Sequence, residues 1–278
     1  MKVVHTIADL RAQLSNRSKR VLVPTMGNLH EGHLRLIDTA RRHGEQVIAS
    51  IFVNRLLFAP HEDFDRYPRT LERDCEMLAS RGCDLVFAPD EKELYPQPQT
   101  FKVHPDPALA DILEGHFRPG FFTGVCTVVM KLLSCVQPDV AIFGQKDYQQ
   151  WRIMERLVNQ FALPLQIVGE PTCRAEDGLA LSSRNAYLNP TERVQAAQLS
   201  TQLRQIAEAL RSGATDTSTL EAQATQTLND QGWKVDYVTV RRRMDLLPPA
   251  PGEALAGACV VLAAARMGQT RLIDNLEV

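Results

Sequence analysis

Two histidines three residues apart, His30 and His33, are the side chains whose type and spacing point most directly to chemistry. They follow an apolar run at residues 21–23 and the pair Met26-Gly27, and apolar residues at helical spacing come after them. This pattern predicts a strand-to-helix turn, where free backbone N–H groups and the positive end of the helix favour phosphate. Imidazoles there can donate hydrogen bonds to a polyphosphate whose charge is redistributing in a transition state. The turn therefore predicts an enzyme that activates a nucleotide.

Two other interpretations of the histidine pair stay open at this stage. The side chains can be ordinary residues at a helix start, or they can bind zinc. For zinc, the spacing supplies only two ligands and differs from the His-Glu-x-x-His arrangement. Phosphate contact accounts best for the Met26-Gly27 pair and for the position at a strand end.

A second segment ends a predicted strand and opens a predicted helix. Gly144 lets the backbone turn, and Asp147 can cap the new helix. Lys146 is a mobile cation suited to a phosphate, and Gln150 lies one turn further on with its amide toward the site. The alternative is a capped helix that carries a surface lysine.

A third segment begins the last third of the chain with Leu181, two hydroxyls and a guanidinium. Ser182, Ser183 and Arg184 could grip phosphates from the side opposite the histidines. Because the segment lies near a predicted domain hinge, it could close over a bound nucleotide. A polar turn with an incidental charge is the alternative.

The elements that must position these residues alternate through the first two-thirds of the chain. Strands are predicted at residues 20–24, 46–54, 84–88, 140–143 and 165–168, and helices at 33–43, 68–80, 124–135 and 147–161. This alternation predicts a parallel sheet with helices on both faces, whose ligands bind beyond the carboxyl ends of the strands. His30, Asn54 and Lys146 follow predicted strands, so we expect them at one edge.

The remainder has a different pattern, with predicted helices at 191–211 and 218–229 and strands at 235–240, 258–265 and 271–273. The predicted fold class is therefore α/β. A Rossmann-like parallel sheet domain of nucleotidyltransferase type over residues 1–172 is followed by a smaller α+β lid domain over residues 173–278.

Composition excludes several classes of protein. The 278 residues are 44% hydrophobic and 23% charged, and the formal net charge of −2 gives no electrostatic reason to expect nucleic acid or an anionic membrane. No apolar run approaches a membrane span, and the N-terminus lacks a signal-peptide core, so we expect a cytoplasmic protein. The six cysteines are scattered, which predicts buried free thiols rather than zinc or disulfides.

The three candidate segments resemble the pantoate–β-alanine ligase (pantothenate synthetase) family. Further matching motifs lie at residues 50–54, 66–72, 127–132, 136–139 and 271–275, so the resemblance runs from one end of the chain to the other. It implies an ATP-dependent ligase of pantothenate biosynthesis. Pantoate and ATP would form a pantoyl adenylate and pyrophosphate, and the amine of β-alanine would then release AMP.

The resemblance also implies residue roles. His30, His33, Lys146 and Arg184 would be catalytic, with His33 the proton donor. ATP would contact these four and further residues, namely Met26, Gly27, Gly144, Asp147, the backbone near Cys173, Leu181, Ser182 and Ser183. Asp147 would also meet Mg²⁺, and Asn54 and Gln150 would face the acid. The family resemblance further implies a homodimer through the larger domain.

Three departures from the family pattern fall outside the ATP-handling residues. Leu57 replaces a glutamine that contacts pantoate, with Arg55 in place of a proline nearby. Phe121 replaces a histidine near the amine entrance, and Arg241-Arg242-Arg243 stands where Arg-Asp is common. Ordinary compensated drift is one explanation of these changes.

Other functions stay open on the sequence alone. One is a related ligase for another small acid or amine, whose pockets Leu57, Arg55 and Phe121 would shape. A nucleotidyltransferase that keeps AMP in its product shares the sheet and the histidines. A non-catalytic nucleotide-binding protein is the third, and its retained His33, Lys146 and Arg184 argue against it.

Overall fold

The computed structural model describes residues 1–14, 18–57, 64 and 67–278. Arg66, which belongs to one of the matching motifs, lies outside the described residues. The chain divides into two compact units. The first comprises Met1–Gln145 and Gln149–Pro171, and the second comprises Lys146–Tyr148 and Thr172–Val278.

A parallel sheet of six strands forms the centre of the first unit. The strands are β1 (Lys2–Val4), β2 (Arg20–Thr25), β3 (Gln46–Ile51), β4 (Leu85–Phe87), β5 (Val140–Gly144) and β6 (Gln166–Glu170). Their order is β1-β4-β3-β2-β5-β6, and every pairing is parallel. The chain therefore runs outward from β2 in one direction through β3 and in the other through β5. This reversal is the point where sheets of this type bind ligands.

Helices flank the sheet, and the longer ones bury an apolar face. They are α1 (Ile7–Gln13), α2 (Glu31–His43), α3 (Leu71–Ser80), α4 (Glu91–Leu94), α5 (Pro107–Ala110), α6 (Glu114–Phe117), α7 (Phe121–Val136) and α8 (Tyr148–Gln160). On α2, Leu36, Ile37 and Ala40 pack against Val21 and Val23 of β2, all of them buried. Burial on this scale fixes the register of α2 over the sheet and hence the position of its first turn.

The second unit packs helices against a three-stranded antiparallel sheet. Its helices are α9 (Pro190–Gln195), α10 (Ala197–Arg211) and α11 (Thr217–Asp230), and its strands are β7 (Trp233–Arg242), β8 (Cys259–Met267) and β9 (Thr270–Glu277). The strands lie in the order β7-β8-β9. The core joins Leu203 and Ile206 of α10 to Val261 and Ala263 of β8.

The predicted fold class is confirmed, while several element limits differ. The strand predicted at 46–54 ends at Ile51, and Arg55–Leu57 forms a 3-10 turn. The helix predicted at 191–211 is divided after Gln195 into α9 and α10. The sequence pattern missed β1 and α1, which are too short for a clear period.

All six cysteines are free thiols; four are buried, and Cys75 and Cys173 are half-buried. Over the described ranges, we find no helix with the length and apolar character that crossing a membrane requires.

Candidate active site

The first unit brings three of the predicted site segments to one edge of its sheet. The histidine turn follows β2, Asn54 follows β3, and Gly144 is the last residue of β5. Because β2 lies between β3 and β5, the turn lies between the other two segments. The predicted placement at the carboxyl ends of the strands therefore holds for His30, His33, Asn54 and Gly144.

The two histidines cap the start of α2, because each ring accepts a hydrogen bond from a backbone N–H group there. His30 Nδ1 accepts from Gly32 N at 3.1 Å, and His33 Nδ1 accepts from His30 N at 3.3 Å. The ring centroids lie 4.1 Å apart. Because each Nδ1 accepts a hydrogen bond, each neutral ring carries its proton on Nε2. The capping arrangement thus turns both imidazoles into Nε2–H donors.

A buried carboxylate holds the turn from below. Asp74 of α3 is fully buried and accepts from Asn28 N at 2.8 Å, Leu29 N at 2.9 Å and Thr70 Oγ1 at 3.1 Å. Gly27 and Asn28 have positive φ angles of 76° and 50°, which aim these N–H groups at the carboxylate. Sequence reasoning missed Asp74, although an acid at helical spacing from Leu71 and Leu78 on an apolar face is a readable signal.

The prediction of free backbone N–H groups at this turn is wrong for most of it. Gly27 N donates to Thr25 Oγ1, Asn28 N and Leu29 N donate to Asp74, and the N–H groups of residues 30 and 32 donate to the histidine rings. Most backbone N–H groups of this turn are therefore already bonded within the protein.

Asn54 combines deep burial with an unsatisfied donor. The residue is 1% exposed, and its Oδ1 accepts from Leu56 N at 3.2 Å. Among the described residues, neither Asn54 Nδ2 nor Tyr95 Oη has a hydrogen-bond partner of acceptable geometry. Burial raises the pKa of Tyr95 to about 12, and the nearby Asn54 amide offsets part of that rise. Buried polar atoms without partners indicate a site where a ligand supplies them.

Two of the residues that depart from the family pattern, Leu57 and Phe121, are linked through Arg118. Its guanidinium donates to Leu57 O at 2.7 Å and lies 3.7 Å from the centre of the Phe121 ring. The 3-10 turn that carries Leu57 packs on α7 at Gly124, where a Cβ would lie 2.6 Å from Leu56 O. The structure therefore joins Leu57 and Phe121, two separate sequence departures, into one contact.

The other two proposed substrate residues also lie in the first unit. The guanidinium carbon of Arg55 lies 4.1 Å from the centre of the Phe64 ring, so the cation is stacked on an aromatic face. Gln150 is half-buried in the first turn of α8. Its side chain makes no hydrogen bond within the described part of the chain, which leaves the amide available to a ligand.

Lys146 and Asp147 belong to the second unit although they follow β5 directly. Lys146 O accepts from Asn275 Nδ2 at 2.9 Å, and Tyr148 Oη donates to Glu277 Oε1 at 2.8 Å. Lys146 is half-buried and Asp147 is exposed. This turn directly follows the carboxyl end of β5, as the sequence predicts, and its backbone is hydrogen-bonded to β9.

The remaining predicted phosphate and adenine contacts share one hairpin of the second unit. Leu181 N donates to Cys173 O at 2.9 Å, and Arg174 and Ala180 form a β-bridge. Ser182 Oγ accepts from Arg184 N at 3.3 Å at the start of a short 3-10 helix, Ser183–Tyr187. Cys173 and the segment from Leu181 to Arg184 therefore lie together in this part of the second unit.

The donor set for a metal is sparse. In the described ranges no three His, Cys, Asp or Glu side chains come together as a metal site. Asp147 offers one exposed carboxylate. Such a set fits Mg²⁺ bound through one carboxylate and substrate phosphates, and it does not fit a closed protein cage.

The three consecutive arginines each stabilise a different part of the second unit. Arg241 Nε donates to Thr239 Oγ1 at 3.1 Å, and Arg242 pairs with Asp245 at 2.6 Å. Arg243 pairs with Glu277 at 2.8 Å. Their contacts give this departure from the family pattern a structural explanation.

Comparisons with known proteins agree over the whole chain. The family model of pantoate–β-alanine ligase matches residues 2–277. The pantothenate synthetase of Leptothrix cholodnii is 65% identical, with 100% of both chains covered. A crystal structure of pantothenate synthetase from Thermus thermophilus is 44% identical with a TM-score of 0.94, covering 100% of this chain and 99% of that one. The pantoate–β-alanine ligase of Francisella tularensis, complexed with β-γ ATP and β-alanine, is 35% identical with a TM-score of 0.82 and covers 100% and 97%.

Replacing Asp74 by alanine should destabilise the protein strongly. The change leaves the N–H groups of Asn28 and Leu29 unsatisfied, and each buried orphan costs about 1–3 kcal/mol. Urea unfolding measures the loss, with D74N expected to be intermediate because one acceptor oxygen remains. D84A is the matched control, since exposed Asp84 accepts from Val47 N and water can replace it there. Equal losses for D74A and D84A would contradict the role given to Asp74.

Proposed function

The chain belongs to the pantoate–β-alanine ligase family, and from that premise we propose which of its residues perform the reaction. Membership makes it an ATP-dependent, AMP-forming ligase that joins pantoate to β-alanine. The pantoate carboxylate attacks the α-phosphorus of ATP and pyrophosphate leaves; the amine of β-alanine then attacks the acyl carbon and AMP leaves. The similarity supports this activity rather than another acid–amine ligase, a nucleotidyltransferase or a non-catalytic binding protein.

The reciprocal histidine cap is the observation that carries the assignment. An attacking carboxylate and a triphosphate repel each other, so the site must stabilise negative charge in the transition state. With both Nδ1 atoms accepting, His30 and His33 present Nε2–H donors to phosphate oxygens. His33 is then the proton donor, and Met26 and Gly27 line the same turn.

The second unit supplies the cations. Lys146 and Arg184 neutralise phosphate charge, and the Ser182 and Ser183 hydroxyls add donors. The backbone at Cys173 and Leu181 contacts adenine and phosphate, and Gly144 leaves room for the nucleotide at the end of β5. In this assignment residues 1–172 bind ATP and the acid, and residues 173–278 act as a lid.

Mg²⁺ is the second cofactor in this proposal. Asp147 would hold it together with phosphate oxygens, because no fuller protein donor set occurs among the described residues. The ion supplies charge neutralisation at the triphosphate when bound. The exposed position of Asp147 leaves it accessible to such a bridging ion.

The acid pocket is assigned to the first unit. Asn54 Nδ2 is a buried donor without a partner in the described structure, which suits the oxygens of pantoate. Gln150 adds an amide, and Tyr95 Oη is a further buried polar atom beside Asn54. Leu57 contributes a hydrocarbon surface where a glutamine would donate. Arg55 and Phe121 then border the entrance for β-alanine.

A homodimer through the first unit completes the proposal. Phe101 is 89% exposed and Phe161 is 56% exposed, and Phe161 lines a surface groove with Val103 and Leu109. A groove with several apolar side chains in its lining is the kind of surface that a second copy of the chain would cover. Since the reaction consumes ATP and the net charge of −2 favours neither nucleic acid nor membrane, we place the enzyme in the cytoplasm.

Replacing His33 by asparagine should separate its capping role from its chemical role. Asparagine Oδ1 can still accept from His30 N, but it lacks the Nε2–H donor, so adenylation should fall about 10²–10³-fold with little change in unfolding free energy. ATP–pyrophosphate exchange and urea unfolding measure the two effects. H33A should lose both. AMP formation by H33N at the original rate would rule out His33 as donor.

Introducing glutamine at Leu57 should strengthen pantoate binding. A new hydrogen bond to the substrate contributes about 0.5–1.5 kcal/mol, so KM for pantoate should fall about two- to tenfold. Steady-state kinetics test this, with KM for β-alanine expected to stay constant. L56Q is the control, because the neighbouring Leu56 side chain is 42% exposed. A fall in the β-alanine KM alone would place Leu57 in the amine pocket.

The dimer is tested by mass photometry of wild type and of F101S with F161S. Wild type should be dimeric, and the double variant should shift toward monomer because two apolar contacts are removed. V194S is the control, since Val194 is 75% exposed but belongs to the second unit. A wild-type monomer at working concentration would refute the assembly.

A further inference from the structure

Strand β9 ends in three polar residues that the reaction scheme does not use. Asp274 is 4% exposed and Asn275 is 5% exposed, and Glu277 follows two residues later. Polar side chains this deeply buried are retained where they satisfy specific partners. Their partners lie in two segments that contact ATP in the proposed function, the turn at Lys146 and the hairpin at Cys173.

Asn275 anchors the backbone of Lys146. Its Nδ2 donates to Lys146 O at 2.9 Å across 129 positions of sequence. Two residues further along each segment, Tyr148 Oη donates to Glu277 Oε1 at 2.8 Å, and Arg243 pairs with Glu277 Oε2 at 2.8 Å. Burial raises the pKa of Tyr148, so its hydroxyl stays protonated and keeps donating. The Lys146 turn is therefore fixed at both ends by β9.

Asp274 holds the other segment. Its carboxylate accepts two hydrogen bonds from Arg174, at 2.7 and 2.9 Å. Arg174 also donates to Asn275 O at 2.8 Å and to Gly178 O at 3.1 Å. The residue before Arg174 is Cys173, whose carbonyl closes the hairpin to Leu181. Two adjacent residues of β9 thus hold the Lys146 turn and the Cys173 hairpin in one frame.

We propose that Asn275 is a positioning residue that acts through Lys146, by fixing the peptide from which the ammonium group reaches the nucleotide phosphates. The proposal rests on the role given to Lys146 above. A lysine stem has four rotatable bonds, so its ammonium is placed only as well as its backbone is held. Displacement of a charged group by about 1 Å can lower a rate about 10²-fold.

The variants N275A and N275D test the proposal. N275A removes the donor to Lys146 O. N275D keeps the side-chain shape but places a carboxylate oxygen against the Lys146 carbonyl oxygen, so that two acceptors face each other. We expect both to lower kcat for ATP–pyrophosphate exchange about ten- to a hundredfold, with less than a twofold change in KM for β-alanine. T239V is the control for lost buried polarity, since Thr239 Oγ1 contacts Glu221 in the same unit, and its rate should match wild type.

A double-mutant cycle with K146A distinguishes positioning from general support. The dissociation constant for ATP, measured by calorimetry, gives the coupling even where turnover is slow. N275A should weaken ATP binding severalfold when Lys146 is present and less than twofold in the K146A background. Equal effects in both backgrounds, or an N275D variant with the wild-type rate, would overturn the proposal while leaving the role of Lys146 intact. If K146A itself binds and uses ATP like wild type, the proposed function of Lys146 fails first.

Discussion

The candidate site depends on one buried interaction, the carboxylate of Asp74 beneath the turn that carries the histidines. A turn with two successive positive φ angles points several N–H groups to one side, and these partly buried groups need acceptors within the protein. Asp74 accepts from two of these groups, and the histidine rings accept from two more. The backbone is therefore satisfied before any ligand binds. A glycine-rich phosphate loop works in the opposite way, because its own N–H groups bind the anion.

Local patterns predicted the positions of the main elements and of the segments that carry the candidate site residues. The run at residues 21–23, the glycine and the helical spacing after His33 are local signals, and β2 and α2 form there. The partners of the turn could not be predicted in the same way. Asp74 lies 46 positions from Asn28, and Asn275 lies 129 positions from Lys146, so both contacts arise only once the tertiary fold is formed. Sequence spacing identifies the segments that carry the chemistry better than the residues that hold them.

The departures from the family pattern illustrate the same distinction between local and long-range information. In sequence, Leu57 and Phe121 are separate substitutions, and each suggests an altered pocket. In the structure Arg118 contacts both, through the Leu57 carbonyl and the Phe121 ring, so the two positions form one packed unit. The hydrogen bond from Arg118 is accepted by the backbone carbonyl of Leu57, which any residue at this position would provide. Loss of the glutamine therefore changes what the pocket offers a substrate without removing the contact that holds the segment.

The two units contribute electrostatically different groups to the proposed reaction. In the capping arrangement each Nδ1 accepts from a backbone N–H group, so His30 and His33 present Nε2–H groups. The full positive charges, Lys146 and Arg184, belong to the second unit. Oriented hydrogen-bond donors stabilise the charge that develops on particular phosphate oxygens, whereas cations stabilise the total charge. Orientation is thus assigned to the turn above Asp74, and charge neutralisation to segments held by β9. In each unit one buried polar side chain, Asp74 in the first and Asn275 in the second, hydrogen-bonds the backbone of the segment that carries these groups.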